Sequence, residues 1–573
     1  MRNTIFVDLR IDNCGGVVMS KMNRRAVTTG LAAAGLMAFG GDLCRAARAA
    51  PADKPIVKIR SGSIQGAVAD GVASFLGVPY GAPTGDAGRF MPPKPPVAWS
   101  GIRPAATYGA ACPQVPLGVS PFAGKHTAPE VAGPTPMQAQ LASLFTHAAA
   151  DDNQSEDCLV LNVWTPRVGP GKRPVMVWLH GGGFAVGSGS HGQYDGTHLA
   201  KRGDVVVVTI NHRLNVFGYL YLGGLAGDSF AQSGNVGMLD IVAALEWVRD
   251  NIEAFGGDAH NVTIFGESGG SGKVSVICAM PSAKGLLHKA IMQSGPCLKI
   301  QDKDRATAIA KQLLADLGIS AGELSRLQTM DARQLVAAAV AAEVKVVPRV
   351  LGFGPMGLVP LVDGNVLPHD PFDPVAAPES AAVPFLVGST KDEGTLFVGP
   401  LPQWGRFTES DVVERLKPMA GDRAQQAFDL YRRLHPADSP SYLLADAVTD
   451  FWMRQSANRV AELKSKQGRA PAFVYVLDWE LNPILRTPHG TDVPLVFNNV
   501  DASPAAAAAP AAQSVADQMC DAWIAFARTG APGTAALPHW PPYTLGARPV
   551  MAFNVKSQIF HDYGREAREF WEA

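Results

Sequence analysis

Cysteine is scarce: seven residues in 573, with no Cys-x-x-Cys pair. That excludes a disulfide-framework protein and leaves zinc-ribbon and thioredoxin chemistry without support. An excess of either charge is also missing. Fifty basic residues stand against 51 acidic ones, and no Lys/Arg-rich run offers a phosphate-binding stripe. Nucleic acid is therefore not expected as a partner; a small, weakly charged molecule is. Glycine shows no three-residue period, so a collagen-like chain is out. Beyond the amino terminus no stretch is apolar for long enough to span a bilayer. What remains is an ordinary globular composition, 47% hydrophobic and 18% charged, with enough apolar surface to offset chain entropy. At roughly 150 residues per domain the length allows three or four domains, an upper bound because single α/β domains can run much longer.

Residues 21–50 have the layout of an export signal. Arg24-Arg25 precedes an apolar run too short for a membrane span, and Ala47-Arg48-Ala49 fits an A-x-A cleavage site. The arginine pair resembles a twin-arginine signal. The competing reading is a buried N-terminal helix. Residues 1–49 are expected to be removed, with 50–573 forming one exported domain, periplasmic or secreted; Met19 or Met22 makes a better signal start than Met1. Export takes Cys14 and Cys44 away. The five remaining cysteines are an odd number, so at least one thiol stays free or pairs between molecules.

From about residue 56 strand-like and helix-like segments alternate. Residues 56–59 and 63–68 read as short strands, 113–155 as a long Pro-, Ala- and Gly-rich excursion, and 175–179 as a doubly buried strand. Four consecutive valines make 204–210 the strongest strand signal. Met238, Ile241, Val242, Leu245, Val248 and Ile252 share one face of a helix. Strands are expected again at 262–265, 385–387 and 473–477, with helices over 274–280, 301–345, 409–435 and 514–528. Residues 501–513 read as a low-complexity loop. Apolar strands separated by helices imply a parallel sheet covered on both faces.

Gly266-Glu267-Ser268-Gly269-Gly270 follows the expected strand 262–265 and precedes a helix. In that setting G-x-S-x-G puts the serine on a tight turn, with a helix N-terminus that favours developing negative charge. Alone, the motif fits a surface turn as well. Two other readings compete. Gly272-Lys273 suggests a phosphate-binding loop, but that pattern needs Gly at 267 and a hydroxyl at 274, where the chain has Glu267 and Val274. Gly187-Ser-Gly189-Ser-His-Gly192 matches a dinucleotide fingerprint but has no helical pattern directly after it. No cofactor and no metal are expected. His180-Gly181-Gly182-Gly183-Phe184 follows strand 175–179, and its unobstructed N–H groups can converge on an oxyanion with the N–H of Gly269.

With HGGGF in place, FGGDAHNVTIFGESGG, FLGVPYGAP at 75–83, SEDCLVLNVWTP at 155–166, GNVGMLDIVAALEWVRDNIEAFGGD at 234–258 and IMQSG at 291–295 together resemble the type-B carboxylesterase/lipase family over nearly the whole mature chain. The resemblance implies an α/β-hydrolase fold: a mostly parallel twisted sheet with helices on both faces. It implies a serine carboxylesterase acting on small, uncharged esters.

A serine hydroxyl needs a base, and the base an orienting carboxylate, in the order Ser, acid, His. Thirteen histidines compete. The resemblance implies His489, in PHGTD, as base and Glu393, in KDEG, as acid, with Ser268 as nucleophile and Gly182, Gly183 and Gly269 as oxyanion donors. Asp392 is the rival acid; neighbours on an extended segment point apart, so only one should reach the histidine. Gly269 stands where the family has Ala, which implies a looser oxyanion hole. The resemblance also implies a Cys112–Cys158 disulfide. No Trp lies between those cysteines, which argues against quaternary-ammonium recognition there, and Phe184 suggests an apolar pocket. The alternatives are a non-catalytic binding protein on the same fold and a different acyl transfer: lactone opening, amide cleavage or transacylation.

Overall fold

Alternation along the apolar strands builds the molecule. Val175, Val177 and Leu179 enter one hydrophobic cluster, while Met176 and Trp178 between them enter another. The same division separates Val206 and Val208 from Val207, Ala290 and Met292 from Ile291, and Val474 and Val476 from Phe473 and Tyr475. Successive side chains on a strand point to opposite faces, so a strand apolar at every position needs a core on each side. Helices supply both cores.

The computed structural model describes residues 54–115, 135–144, 153–347 and 356–573. The export segment lies outside the described residues. The chain divides into two units, Met1–Pro51 and Ala52–Ala573, and every described strand and helix belongs to the second.

Its strands are β1 (Ile56–Ile59), β2 (Gly62–Gln65), β3 (Ala67–Ala69), β4 (Val72–Pro79), β5 (Ile102–Pro104), β6 (Val160–Thr165), β7 (Arg173–Leu179), β8 (Val206–Ile210), β9 (Gly257–Glu267), β10 (Lys289–Gln293), β11 (Phe385–Thr390), β12 (Ala472–Leu477), β13 (Pro549–Phe553) and β14 (Gln558–His561). Among the described residues β1, β2 and β5 make a small sheet, and the other eleven a large one ordered β14-β13-β12-β11-β10-β9-β7-β8-β6-β4-β3. From β8 through β13 every pairing is parallel, with antiparallel strands added at both edges. This is the α/β-hydrolase architecture expected from the sequence. Parallel strands present their carboxyl ends together, and ligands of open α/β sheets bind there.

The expected helix becomes Val236–Asn251, and 262–265 forms the end of the longer β9. The region 301–345 holds Lys303–Leu317, Ser325–Thr329 and Ala332–Val346. Residues 501–513 differ from expectation. Pro504–Ala507 is a short helix, started by Ser503 Oγ accepting from Ala506 N. Alanines are strong helix formers and a proline at the first position is pre-set for a helix, so low complexity here does not mean loop. Helix Ala512–Thr529, closed by Gly530, is followed by β13, β14 and helix Arg565–Glu572, which the sequence pattern did not announce.

The implied disulfide is corrected. Cys112 and Cys158 are buried free thiols. Cys112 Sγ donates to Pro113 O at 3.8 Å and accepts the N–H of Leu214 at 3.3 Å. Cys278, Cys297 and Cys520 are free as well, their thiols pushed up to about 12 by burial.

Candidate active site

β9 is held in register by β7 (Leu179 opposite Gly266) and by β10 (Gln293 opposite Glu267). Immediately beyond this grip the chain turns. Ser268 takes φ 57° and ψ −124°, its N–H donates to Gln293 O at 2.9 Å, and helix Gly269–Ile277 begins with Gly272 N bonding Ser268 O. A non-glycine residue with such angles carries about 1–3 kcal/mol of strain, held here by the flanking strand and helix. The serine therefore sits at the helix N-terminus, as the G-x-S-x-G spacing predicts.

Glu393 follows β11 and is fully buried. Its Oε1 accepts Thr390 N–H at 2.7 Å, and its Oε2 accepts the Nδ1–H of His489 at 2.5 Å. A carboxylate only accepts, so Nδ1 bears the proton and Nε2 of the neutral ring carries the lone pair. Asp392 turns elsewhere: it accepts Thr487 N–H and lies 3.7 Å from Arg486. Of the two adjacent acids, only Glu393 reaches the histidine.

His489 Nε2 is buried, without a hydrogen-bond partner among the described residues, and lies 3.2 Å from Glu267 Oε1. Glu267 joins the two halves of the site. A Cβ built on Gly181 would lie 3.0 Å from Glu267 Oε2 and 3.5 Å from Ser268 Cβ, while one on Gly490 would lie 3.7 Å from Glu267 Oε1. Ser268, Glu267, the start of the glycine loop and the His489 turn thus converge at the carboxyl ends of β7, β9 and β11. Ser268 Oγ and His489 Nε2 are not hydrogen-bonded to each other in this structure.

Three buried acids surround the imidazole. Burial disfavours the imidazolium, but the carboxylates of Glu267 and Glu393 outweigh it and lift His489 to about 9. Burial raises Glu267, with Asp492 and Glu393 adding to the rise. Burial also raises Asp492 to about 6, opposed by hydrogen bonds from Tyr475 Oη at 2.7 Å and Gln293 Nε2 at 3.0 Å. Trp523 Nε1 in turn donates to Gln293 Oε1. Sequence reasoning passed over Glu267, Asp492, Gln293 and Tyr475. The available signal was an acid at the end of an otherwise apolar strand, Glu267, and the last residue of PHGTD, Asp492.

The glycine loop starts directly after β7. Gly182 and Gly183 have φ of 85° and 63°, left-handed angles that favour glycine. The expectation of a loose hole is corrected: a Cβ on Gly269 would run into the backbone of Gly183. The loop lies against the helix start so tightly that the family's Ala would not fit this arrangement. The phosphate-loop and dinucleotide readings also fall. Lys273 is fully buried and donates to His180 O, and Gly187–Gly192 leads into a short 3-10 turn rather than a helix.

Beyond Phe184 lies a small, mostly apolar crevice lined by Phe184, Ala185, Val336, Ala339 and Leu358. Its one carboxyl, Glu343, accepts Leu358 N–H at 2.9 Å and is pushed up to about 7 by burial. Among the described residues, one group brings potential metal-ligand atoms within 4.8 Å of one another: His435, Asp438 and Asp446. Arg486 already holds both oxygens of Asp438, at 2.9 and 2.6 Å, so the group is an ion-pair network. No helix among the described residues is long and apolar enough to cross a membrane.

Comparison with known proteins gives a consistent result. The carboxylesterase family matches residues 53–571. The para-nitrobenzyl esterase of Bacillus subtilis (strain 168) is 35% identical over 523 residues, covering 90% of this chain and 98% of that protein. The fumonisin B1 esterase of Sphingopyxis macrogoltabida is 33% identical, covering 86% of each. Among solved structures, a carboxylesterase of Geobacillus stearothermophilus superposes with a TM-score of 0.76 at 35% identity, covering 90% of this chain and 99% of that one.

Proposed function

From the premise that this chain belongs to the carboxylesterase family and is a carboxylic ester hydrolase, we propose that it works through Ser268, His489 and Glu393 and an acyl-enzyme intermediate. Ser268 Oγ attacks the ester carbonyl while His489 Nε2 takes its proton. Glu393 holds the ring tautomer and stabilises the imidazolium. The N–H groups of Gly182, Gly183 and Gly269 receive the developing oxyanion. His489 then protonates the departing alcohol. In the second half water attacks the acyl carbon, gives its proton to His489, and Ser268 leaves with that proton.

The observation that carries this reading is the 2.5 Å bond from His489 Nδ1 to Glu393, which leaves the Nε2 lone pair beside the strained Ser268 turn. The mostly apolar crevice past Phe184 supports small, uncharged esters as substrates. The mature protein is exported, residues 1–49 acting as the signal; exported material whose sequence still began before residue 40 would contradict that. The mechanism is tested with a fluorophosphonate probe. The wild type should be labelled at Ser268 and inactivated, and Ser268→Ala should be unlabelled and lose several orders of magnitude in kcat while staying folded. Full esterase activity in Ser268→Ala, or no labelling of the wild type, would overturn it.

A further inference from the structure

We propose that Lys273 is a positioning residue for catalysis, a buried amine that clamps both ends of the glycine loop onto the helix headed by the nucleophile. The inference rests on the Ser268–His489–Glu393 mechanism and extends it.

Lys273 lies on helix Gly269–Ile277, just past the first turn beyond Ser268, and is fully buried. Its Nζ donates to the carbonyl of His180, the first residue of the glycine loop, at 2.9 Å. It also lies 5.8 Å from the ring centroid of Phe184, the residue that closes the loop. One side chain thus touches the loop on either side of Gly181, Gly182 and Gly183. Three successive glycines lose more backbone entropy on ordering than any other tripeptide, so a loop of this composition holds oxyanion geometry only if something fixes it. Lys273 ties it to the helix that carries the third donor, Gly269, and so couples the two halves of the hole.

The chemistry of the compartment supports a role beyond packing. In a trans peptide the C=O and N–H point in opposite directions. A donor on His180 O therefore directs the Gly181 N–H away from Lys273. The rings of His180 and His212 stack nearby at 4.9 Å and 12°. Each uses Nδ1 against a backbone carbonyl, so Nδ1 carries the proton and Nε2 the lone pair. Both Nε2 atoms are buried without hydrogen-bond partners among the described residues. Burial and Lys273 together hold both imidazoles well below their ordinary range, so both stay neutral. Any positive charge in this compartment is that of Lys273, which burial pulls down to about 7. The hydrogen bond from Nζ to His180 O is open to the amine in either charge state, and donors held in place this way meet the negative charge of the transition state without reorganising.

The test uses the full-length enzyme with Lys273→Met, a neutral chain of similar length, and Lys273→Gln, which keeps a donor without the charge. Ser268→Ala is the control. Initial rates on p-nitrophenyl butyrate are normalised to active sites titrated with the fluorophosphonate, and a trifluoromethyl ketone reports affinity for a tetrahedral oxyanion. Lys273→Met should lower kcat at least tenfold with KM within about twofold, and weaken the ketone by a similar factor. Lys273→Gln should fall between it and the wild type, and serves alone if Lys273→Met does not fold. A merely structural role would reduce the number of titrated sites and leave kcat per site intact. A kcat per site within twofold of wild type in the neutral variants, or a loss confined to KM, overturns the inference while the mechanism stands. Full activity in Ser268→Ala would instead overturn the mechanism on which it rests.

Discussion

Replacing Glu393 by Gln removes one charge and little else. The amide keeps the size of the carboxyl and can still accept Thr390 N–H through its oxygen. What it loses is the anion that receives His489 Nδ1–H at 2.5 Å. During acyl transfer the imidazole becomes a cation, and its charge centre then lies about 4 Å from that of the carboxylate. At an effective dielectric of about 20 such a pair is worth roughly 4 kcal/mol. At 1.36 kcal/mol per decade, kcat should fall about 1,000-fold, with KM changing little. The paired control is Asp392→Asn. Asp392 neighbours Arg486 and Thr487 rather than the histidine, so its variant should keep kcat within about threefold; burial raises Asp392 to about 6, so removing its charge should not lower stability at neutral pH. Steady-state kinetics on a chromogenic ester, with urea unfolding of each variant, reads both outcomes. If Asp392→Asn collapses kcat while Glu393→Gln remains near wild type, the assignment of the acid is refuted.

Glu267→Gln should shift the pH profile. The Glu267 carboxylate helps hold the proton on His489, so its removal should free the base at lower pH; the rising limb of kcat/KM, expected near 9 in the wild type, should move toward neutrality. An unchanged or raised midpoint would contradict this. The same groups set the stability profile. His489, lifted from 6.5 to about 9, contributes stability present in full below 6.5 and lost as pH rises through 9. Glu267, also raised, adds to that decline, because the unfolded chain releases its proton first. Unfolding free energy measured between pH 6.5 and 9 should therefore fall, and less steeply in Glu267→Gln. Gly269→Ala puts a methyl group into the Gly183 backbone. It should cost about 1–3 kcal/mol of stability and, by displacing one oxyanion donor, about 100-fold in kcat; wild-type kinetics would show that the loop yields at no cost.

The strand-helix frame was legible because burial on both faces leaves a mark at every position: four consecutive valines at 205–208 can only satisfy two cores, and they feed both. Ser268 was legible because its turn needs glycines at fixed offsets, and His180–Phe184 for the same reason. What escaped notice has no local signature. Glu267 looked like an obstacle to phosphate binding because its significance depends on His489, more than 200 residues later in the chain. Asp392 and Glu393 lie in the turn after β11, with Glu393 already at helical angles, so strand alternation does not decide which of them faces His489. Lys273 resembled part of a nucleotide loop because a sequence motif records spacing, whereas its hydrogen bond to His180 depends on β7 and β9 lying side by side. The expected disulfide misled for a related reason: whether two cysteines are joined is a property of the fold, and here Cys112 and Cys158 are both buried free thiols. The site is thus assembled from residues whose roles are set by their neighbours across the sheet. Single substitutions at Glu267, Gly269 and Lys273 therefore test the arrangement more sharply than substitutions within the motifs that first revealed it.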